Sequence, residues 1–274
     1  MTEPSPETHE SHRLAILKVL RFMRQRLTEE IDLDQLAEVA IMSPYHFLRT
    51  FREQTGVPPV KFCGALRVEA AKRLLIETDE PILDICFQVG YSSLGSFSTR
   101  FTEMVGLSPG RFRQLGKSFY RDLPALMQVV SSCPLPAGAP VLAASVERQR
   151  PDQVVFVGLF DTPIPQGRPL SCAVLLDPGQ RDFQVAAPRS GVAFLFAVAM
   201  DADTPPVDIL IGGSAVHAVA GSGPLHFDQG PPTVPCLRLQ PLDPLNPPML
   251  LALPLLLHEK AAELGHVERI EAVT

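Results

Sequence analysis

The chain has 274 residues, 46% of them apolar and 20% charged, which excludes global disorder and suits two domains better than one. Its net charge is −6, and its longest apolar runs, Val192 to Met200 and Met249 to Leu257, fall short of the ~20 residues needed to cross a bilayer. No early apolar stretch reads as a signal peptide, and five cysteines without a C-x-x-C pair read as reduced thiols, so a cytoplasmic protein with no membrane partner is expected.

Charge and proline divide the chain. From Ser11 to Lys117 there are 15 Lys/Arg against 12 Asp/Glu; from Asp122 to Thr274 there are 8 against 15. Residues 122–274 also hold 21 of the 28 prolines. Only the front half has the sign that favours nucleic acid. Three prolines and a glycine between Leu123 and Pro140 mark the boundary, giving a domain over 12–117, a linker over 118–140 and a second domain over 141–274.

The front half predicts helices. Leu14, Leu17, Leu20 and Leu27 recur near helical spacing in His12 to Leu27. Asp32 can cap a second helix carrying Leu33, Leu36, Ala37 and Ala40, and Ser43–Pro44 opens a third that runs to Gly56. A fourth starts near Pro58–Pro59 and continues to Thr78, and Pro81 opens a fifth. Ser92 or Ser93 starts a sixth, ending at Gly106, and Ser108–Pro109 a seventh.

These helices contain a repeat. Sliding the sequence by fifty residues aligns Asp34 with Asp84, Val39 with Val89, Ser43 with Ser93, Phe47 with Phe97, Phe51 with Phe101 and Gly56 with Gly106, without a gap. Pro59, Lys61 and Phe62 then meet Pro109, Arg111 and Phe112. Each copy reads as a short helix, a tight turn at Ala40 or Gly90, and a longer helix whose i, i+4 phenylalanines are buried while its other face stays free. That is the helix-turn-helix plan. Pro58 to Glu77, a joining helix of 20 residues, spans about 30 Å, close to one turn of B-DNA.

The stretch Ile82-x2-Ile85-x3-Val89-Gly90-Tyr91-x5-Phe97-x3-Phe101-x4-Gly106-x-Ser108-Pro109-x2-Phe112-Arg113 resembles the signature of the AraC/XylS-type tandem helix-turn-helix domain. The resemblance covers about His12 to Lys117. It implies a bacterial transcription regulator that binds double-stranded DNA and is not an enzyme. In most members the domain follows a sensor; here it comes first, so no effector carries over.

With Phe47 and Phe51 inward, the first recognition helix presents Tyr45, Leu48, Arg49 and Arg52, with His46 at the margin. The resemblance places base readers at Tyr45, Leu48 and Arg49, and the Arg49 guanidinium suits O6 and N7 of guanine. The second presents Ser93, Leu94, Gly95, Ser96, Thr99 and Arg100. Leu94, Gly95 and Thr99 offer few donors, so this copy is expected to read DNA shape or to position the backbone, helped by Arg111 and Arg113.

After Pro140 the pattern becomes short apolar runs between turn signals. Strands are predicted at Val141–Val146, Val154–Phe160, Leu170–Leu176, Val192–Met200, Val207–Ile211, Ala215–Ala220, Leu225–Phe227 and Cys236–Leu239. Without long helices between them they imply a mainly antiparallel β domain, a sandwich that resembles transthyretin-like modules, with a helix over Met249 to Leu264 packed on it. A small-molecule effector, RNA polymerase or a dimer partner are the occupants left open for it; the oligomeric state is not specified. Cys133, Cys172, Cys236, His217 and His226 match no metal spacing, and Gly212-Gly-Ser-Ala-Val216 lacks the G-x-S-x-G form, so no metal, cofactor or catalytic residue is expected.

One alternative belongs to another class. Pro235-Cys236-Leu237-Arg238 resembles the Pro-Cys-His-Arg motif of DNA-alkylation-repair methyltransferases, proteins that can carry a related tandem helix-turn-helix. Leu237 stands where the activating histidine belongs, which leaves the thiol without its base.

Overall fold

The computed structural model describes residues 6–117, 135, 138–212, 215–250, 252, 255 and 256. They fall into two compact units, one running to Arg100 and including Asp243–Pro248, the other beginning at Phe101 and holding the rest. Cys133, most of the expected linker and most of the helix expected over Met249–Leu264 lie outside the described residues.

The first unit is helical: α1 (Pro6–Gln25), α2 (Leu33–Ala40), α3 (Pro44–Thr55), α4 (Pro59–Glu77), α5 (Ile82–Gln88) and the start of α6 (Leu94–Val105). The buried stripe of α1 is Ile16, Val19, Leu20 and Met23, whereas Leu14 is exposed. The leucine spacing expected for this helix is therefore corrected by about a third of a turn, because isoleucine, valine and methionine complete the apolar face. Asp32 forms a full capping box with Gln35: the Asp32 Oδ1 accepts from the Gln35 amide at 2.7 Å, and the Gln35 Oε1 accepts from the Asp32 amide at 3.3 Å. Ser43 begins α3 without a side-chain cap, so Pro44 carries the start signal there.

In the second unit, residues 109–117 form a helix, α7, and Phe101 meets Phe112 edge-to-face at 5.6 Å. In the first unit Phe51 meets Phe62 in the same way at 5.7 Å. The remainder is β1 (Val141–Glu147), β2 (Gln153–Phe160), β3 (Ser171–Leu175), β4 (Asp182–Ala186), β5 (Val192–Asp201), a helix α8 (Pro206–Ile211), β6 (Ala218–His226), β7 (Leu237–Arg238) and β8 (Gln240–Pro241).

The strands form a three-stranded sheet, β4-β1-β7, and a five-stranded sheet, β3-β2-β5-β6-β8. All pairings are antiparallel except β1 with β7. Leu142 and Val146 from one sheet join Val155, Val157, Leu159, Leu195 and Ala197 from the other in a single apolar core. On the other side of β2, Phe156 and Phe160 are buried as well. That explains its unbroken apolar run, since a strand covered on both faces does not alternate.

Several predicted strands are corrected. Val207–Ile211 is helical: Pro205–Pro206 supplies an N-terminus, and Gly212, at φ 78, closes the turn onto Asp208. Ala215–Ala220 and Leu225–Phe227 are not two strands: Ala218–Ala220 and Leu225–His226 lie along one, β6, which runs through Gly221 and bulges at Gly223 and Pro224. Those turn residues read as a break because pairing along β5 is a long-range fact. A further strand, β4, lies outside the predicted ones, and the alternation of buried Phe183 and Val185 with exposed neighbours is its local signal. Cys236–Leu239 reduces to the two-residue β7.

Candidate nucleic-acid interface

The two copies can be compared bond by bond. In the first, the amide of Ile41 donates to Glu38 and that of Met42 to Ala37; in the second, Gly90 donates to Phe87 and Tyr91 to Cys86. These bonds stand 49 positions apart. From the next helix onward the offset is 50: Phe47 to Ser43 matches Phe97 to Ser93, and Gly56 to Arg52 matches Gly106 to Thr102. The gap-free repeat expected from the sequence is thus corrected: the turn of the second copy is one residue longer. Burial follows the same register, with Leu36, Ala37 and Ala40 answering to Ile85, Cys86 and Val89. The expected turn residue Ala40 is likewise corrected, because it is Ile41 that adopts the left-handed conformation, at φ 57.

On α3, Phe47, Thr50 and Phe51 are buried. Tyr45, Leu48, Arg49 and Arg52 are exposed and share the opposite face. Tyr45 is 82% exposed, an unusual position for an aromatic ring. His46 is half-buried, its ring 5.2 Å from that of His12 on α1, and partial burial together with His46 pushes the His12 imidazole down. Arg49 makes a loose ion pair with Glu53 at 3.7 Å, both groups exposed. A pair of this kind is worth at most about 0.5 kcal/mol, so little opposes its exchange for a stronger acceptor.

On α6, Phe97 and Phe101 are buried, while Ser93, Leu94, Gly95, Ser96, Thr99 and Arg100 are exposed. Ser93 caps the helix, its Oγ accepting from the Ser96 amide at 3.3 Å. Arg111, on α7, donates to the side chain of Gln114 at 3.1 Å.

One contact was not foreseen. Arg67, at the middle of α4, donates from Nε to the Leu27 carbonyl at 2.9 Å and from Nη2 to the Glu29 carbonyl at 3.0 Å. Its guanidinium also lies 5.8 Å from the centre of the Tyr91 ring. A side chain on the joining helix thus ties the end of the α1 segment to the turn of the second copy. Nothing in local sequence marks Arg67, whose partners stand about forty residues away.

A family model described as a helix-turn-helix domain matches residues 36–115. Residues 36–115 are an AraC-type helix-turn-helix domain. Over 99 residues the chain is 37% identical to the "Bifunctional transcriptional activator/DNA repair enzyme AdaA" of Bacillus subtilis, covering 36% of this chain and 47% of that protein. It is 30% identical over 101 residues to the "Probable transcriptional regulator LumQ" of Photobacterium leiognathi, covering 37% and 41%. The chain thus spans less than half the length of these relatives. Among solved structures, the DNA-binding domain of AdpA in complex with a target DNA is 28% identical, covering 40% of this chain and 96% of that one at a TM-score of 0.37.

The likeness to AdaA is confined to the AraC-type domain and does not reach Cys236. Cys236 is exposed, and Leu237 beside it is buried in the β core, paired with Val146. No group of three or more metal-ligating side chains occurs among the described residues. No helix among them is long and apolar enough to cross a membrane.

Proposed function

We propose that this chain is a bacterial transcription regulator that binds double-stranded DNA, with α3 and α6 reading adjacent major-groove segments on one face of the duplex. The observation that carries the reading is the tandem arrangement. Two helix-turn-helix units with exposed outer faces are joined by α4, whose 19 residues span about 28 Å, comparable to one turn of B-DNA. On this reading Tyr45, Leu48 and Arg49 contact bases, with His46 and Arg52 at the groove edge. Ser93, Leu94, Ser96, Thr99, Arg100 and Arg111 serve the second segment, mostly as backbone and shape contacts. The β domain, read as a sandwich, is assigned to effector sensing or to contacts with RNA polymerase, and the protein to the cytoplasm. Repair chemistry at Cys236 gains no support from its surroundings, since its neighbour Leu237 is an apolar core residue.

Selection of a site from randomised duplexes, followed by footprinting, tests the reading. Arg49→Ala is expected to lose about 1–3 kcal/mol of specific binding and to relax specificity at one position of the first segment. A selected site bound equally well by the variant overturns the assignment of Arg49.

A further inference from the structure

The carboxyl end of α6 is gripped in a way that its counterpart on α3 is not. Gly56 and Gly106 close the two helices identically, each in the left-handed region and each donating to the carbonyl four residues back at 2.9 Å. Around Gly56 there is open space, with nothing among the described residues within 4 Å of where a Cβ would sit. Around Gly106 there is backbone: a Cβ there would lie 2.9 Å from the Gly167 carbonyl oxygen and 3.2 Å from Cγ of Arg168. Arg168 Nε donates to the Gly106 carbonyl at 3.0 Å, and the Gly167 amide donates to the Met104 carbonyl at 3.0 Å. These four residues belong to the same compact unit.

The last carbonyls of a helix are acceptors without helical partners and carry partial negative charge, so an arginine and an amide are well matched to them. The donors come from the connection between β2 and β3. That connection is itself held: the Leu170 amide donates to Leu159 at 2.7 Å, and the Thr162 hydroxyl to the Ile164 carbonyl at 2.8 Å. It therefore continues β2, which lies between β3 and β5 in the five-stranded sheet, to the end of α6. Ser93, Leu94, Gly95, Ser96, Thr99 and Arg100 stay exposed, and base-reading residues of such helices sit toward the amino end.

We propose that residues 161–170 are a positioning arm for the second recognition helix, with Gly167 and Arg168 as its contact residues, so that the β domain sets the affinity for the second DNA segment alone. The proposal rests on the DNA-binding reading above. A helix face with few donors in Leu94, Gly95 and Thr99 depends on being held at the correct angle, because shape contacts tolerate little tilt.

The test uses the full chain and a duplex that it selects from a randomised library. Arg168→Ala, at an exposed side chain, and Gly167→Ala, which leaves charge unchanged, are each expected to bind that duplex about 3- to 10-fold more weakly. Footprint protection is expected to fade over the second segment and to persist over the first; the melting temperature is expected to stay close to that of the parent in Arg168→Ala and to fall in Gly167→Ala, where φ 69 and the Glu103 carbonyl 3.0 Å away strain a Cβ. The slope of affinity against salt is expected to be unchanged. Unaltered affinity, or loss spread evenly over both segments, overturns the proposal. So does a salt slope lowered by about one in Arg168→Ala alone, which is the mark of a direct phosphate contact. If the parent chain selects no duplex at all, the DNA-binding reading falls and takes the arm with it; a selected duplex with indifferent variants removes only the arm.

Discussion

In the first helix-turn-helix copy the chain turns through Ile41, a β-branched and 88%-exposed residue at φ 57; in the second it turns through Gly90 at φ 86 and takes one residue more. The difference follows from what each turn touches. Gly90 lies against the backbone of the α1–α2 connection, where a Cβ would come within 2.3 Å of the Leu27 carbonyl oxygen and 3.1 Å of Arg67. Ile41 points into solvent, so its side chain fits and only backbone strain is incurred. The helix ends repeat the contrast, open at Gly56 and enclosed at Gly106. One backbone plan, used twice, ends in open space in the first copy and against surrounding backbone in the second.

Exchanging the turn residues is the most direct way to break this comparison. Gly90→Ala is expected to destabilise the protein by about 3 kcal/mol, from left-handed strain and the clash with Leu27. Ile41→Gly should instead stabilise it by about 0.5–1 kcal/mol, because strain relief exceeds the entropy cost. Urea titrations of both variants check the opposite signs, and equal signs would mean that the turns are equivalent after all.

The joining helix offers a second effect. Lys72 on α4 is wholly buried, and desolvation pushes its ammonium group down to about 7 against the opposing pull of Glu69. Below pH 7 the lysine is protonated folded and unfolded, and the cost of burying its charge is fully present. Between about 7 and 10.5 the unfolded chain binds more protons, so stability rises with pH across that window. Lys72→Met should remove most of this rise, measured as the difference between parent and variant in denaturant midpoints from pH 6.5 to pH 10.5. Parallel pH curves would show that Lys72 does not carry the linkage.

The smallest effect sharpens the comparison of the recognition helices. Thr50 on α3 is fully buried, and its hydroxyl has no hydrogen-bond partner among the described residues, whereas Arg100 at the matching position of α6 is exposed. Thr50→Val, similar in shape and without the orphaned hydroxyl, should raise stability by about 1 kcal/mol and leave DNA affinity unchanged. A thermal melt with a binding titration checks both parts, and a loss of stability would mean that the hydroxyl is satisfied in solution.

The helical half was legible in sequence because its signals are local. Asp32 with Gln35, Pro44, Ser93 and the i, i+4 phenylalanines each act within one or two helical turns, and they settle where helices start and which face is buried. The exposed faces of α3 and α6 followed from the same spacing. The strands were partly legible, since alternation and turn residues are local too, yet Pro205–Pro206 made a helix out of an apolar run read as strand. Gly223 and Pro224 sit inside a strand, at a bulge, because β5 pairs with Ser222 and Leu225 on either side of them.

Sequence alone thus determined a doubled helix-turn-helix followed by a β domain, and the residues on each outer face. Tertiary structure alone decided the one-residue slip between copies, the Arg67 tie, and the hold of Gly167 and Arg168 on α6. Those contacts join residues 40 and 62 positions apart, and hydrogen bonds over such separations leave no periodicity in the chain. They depend on where the folded backbone places each carbonyl, which no local pattern encodes.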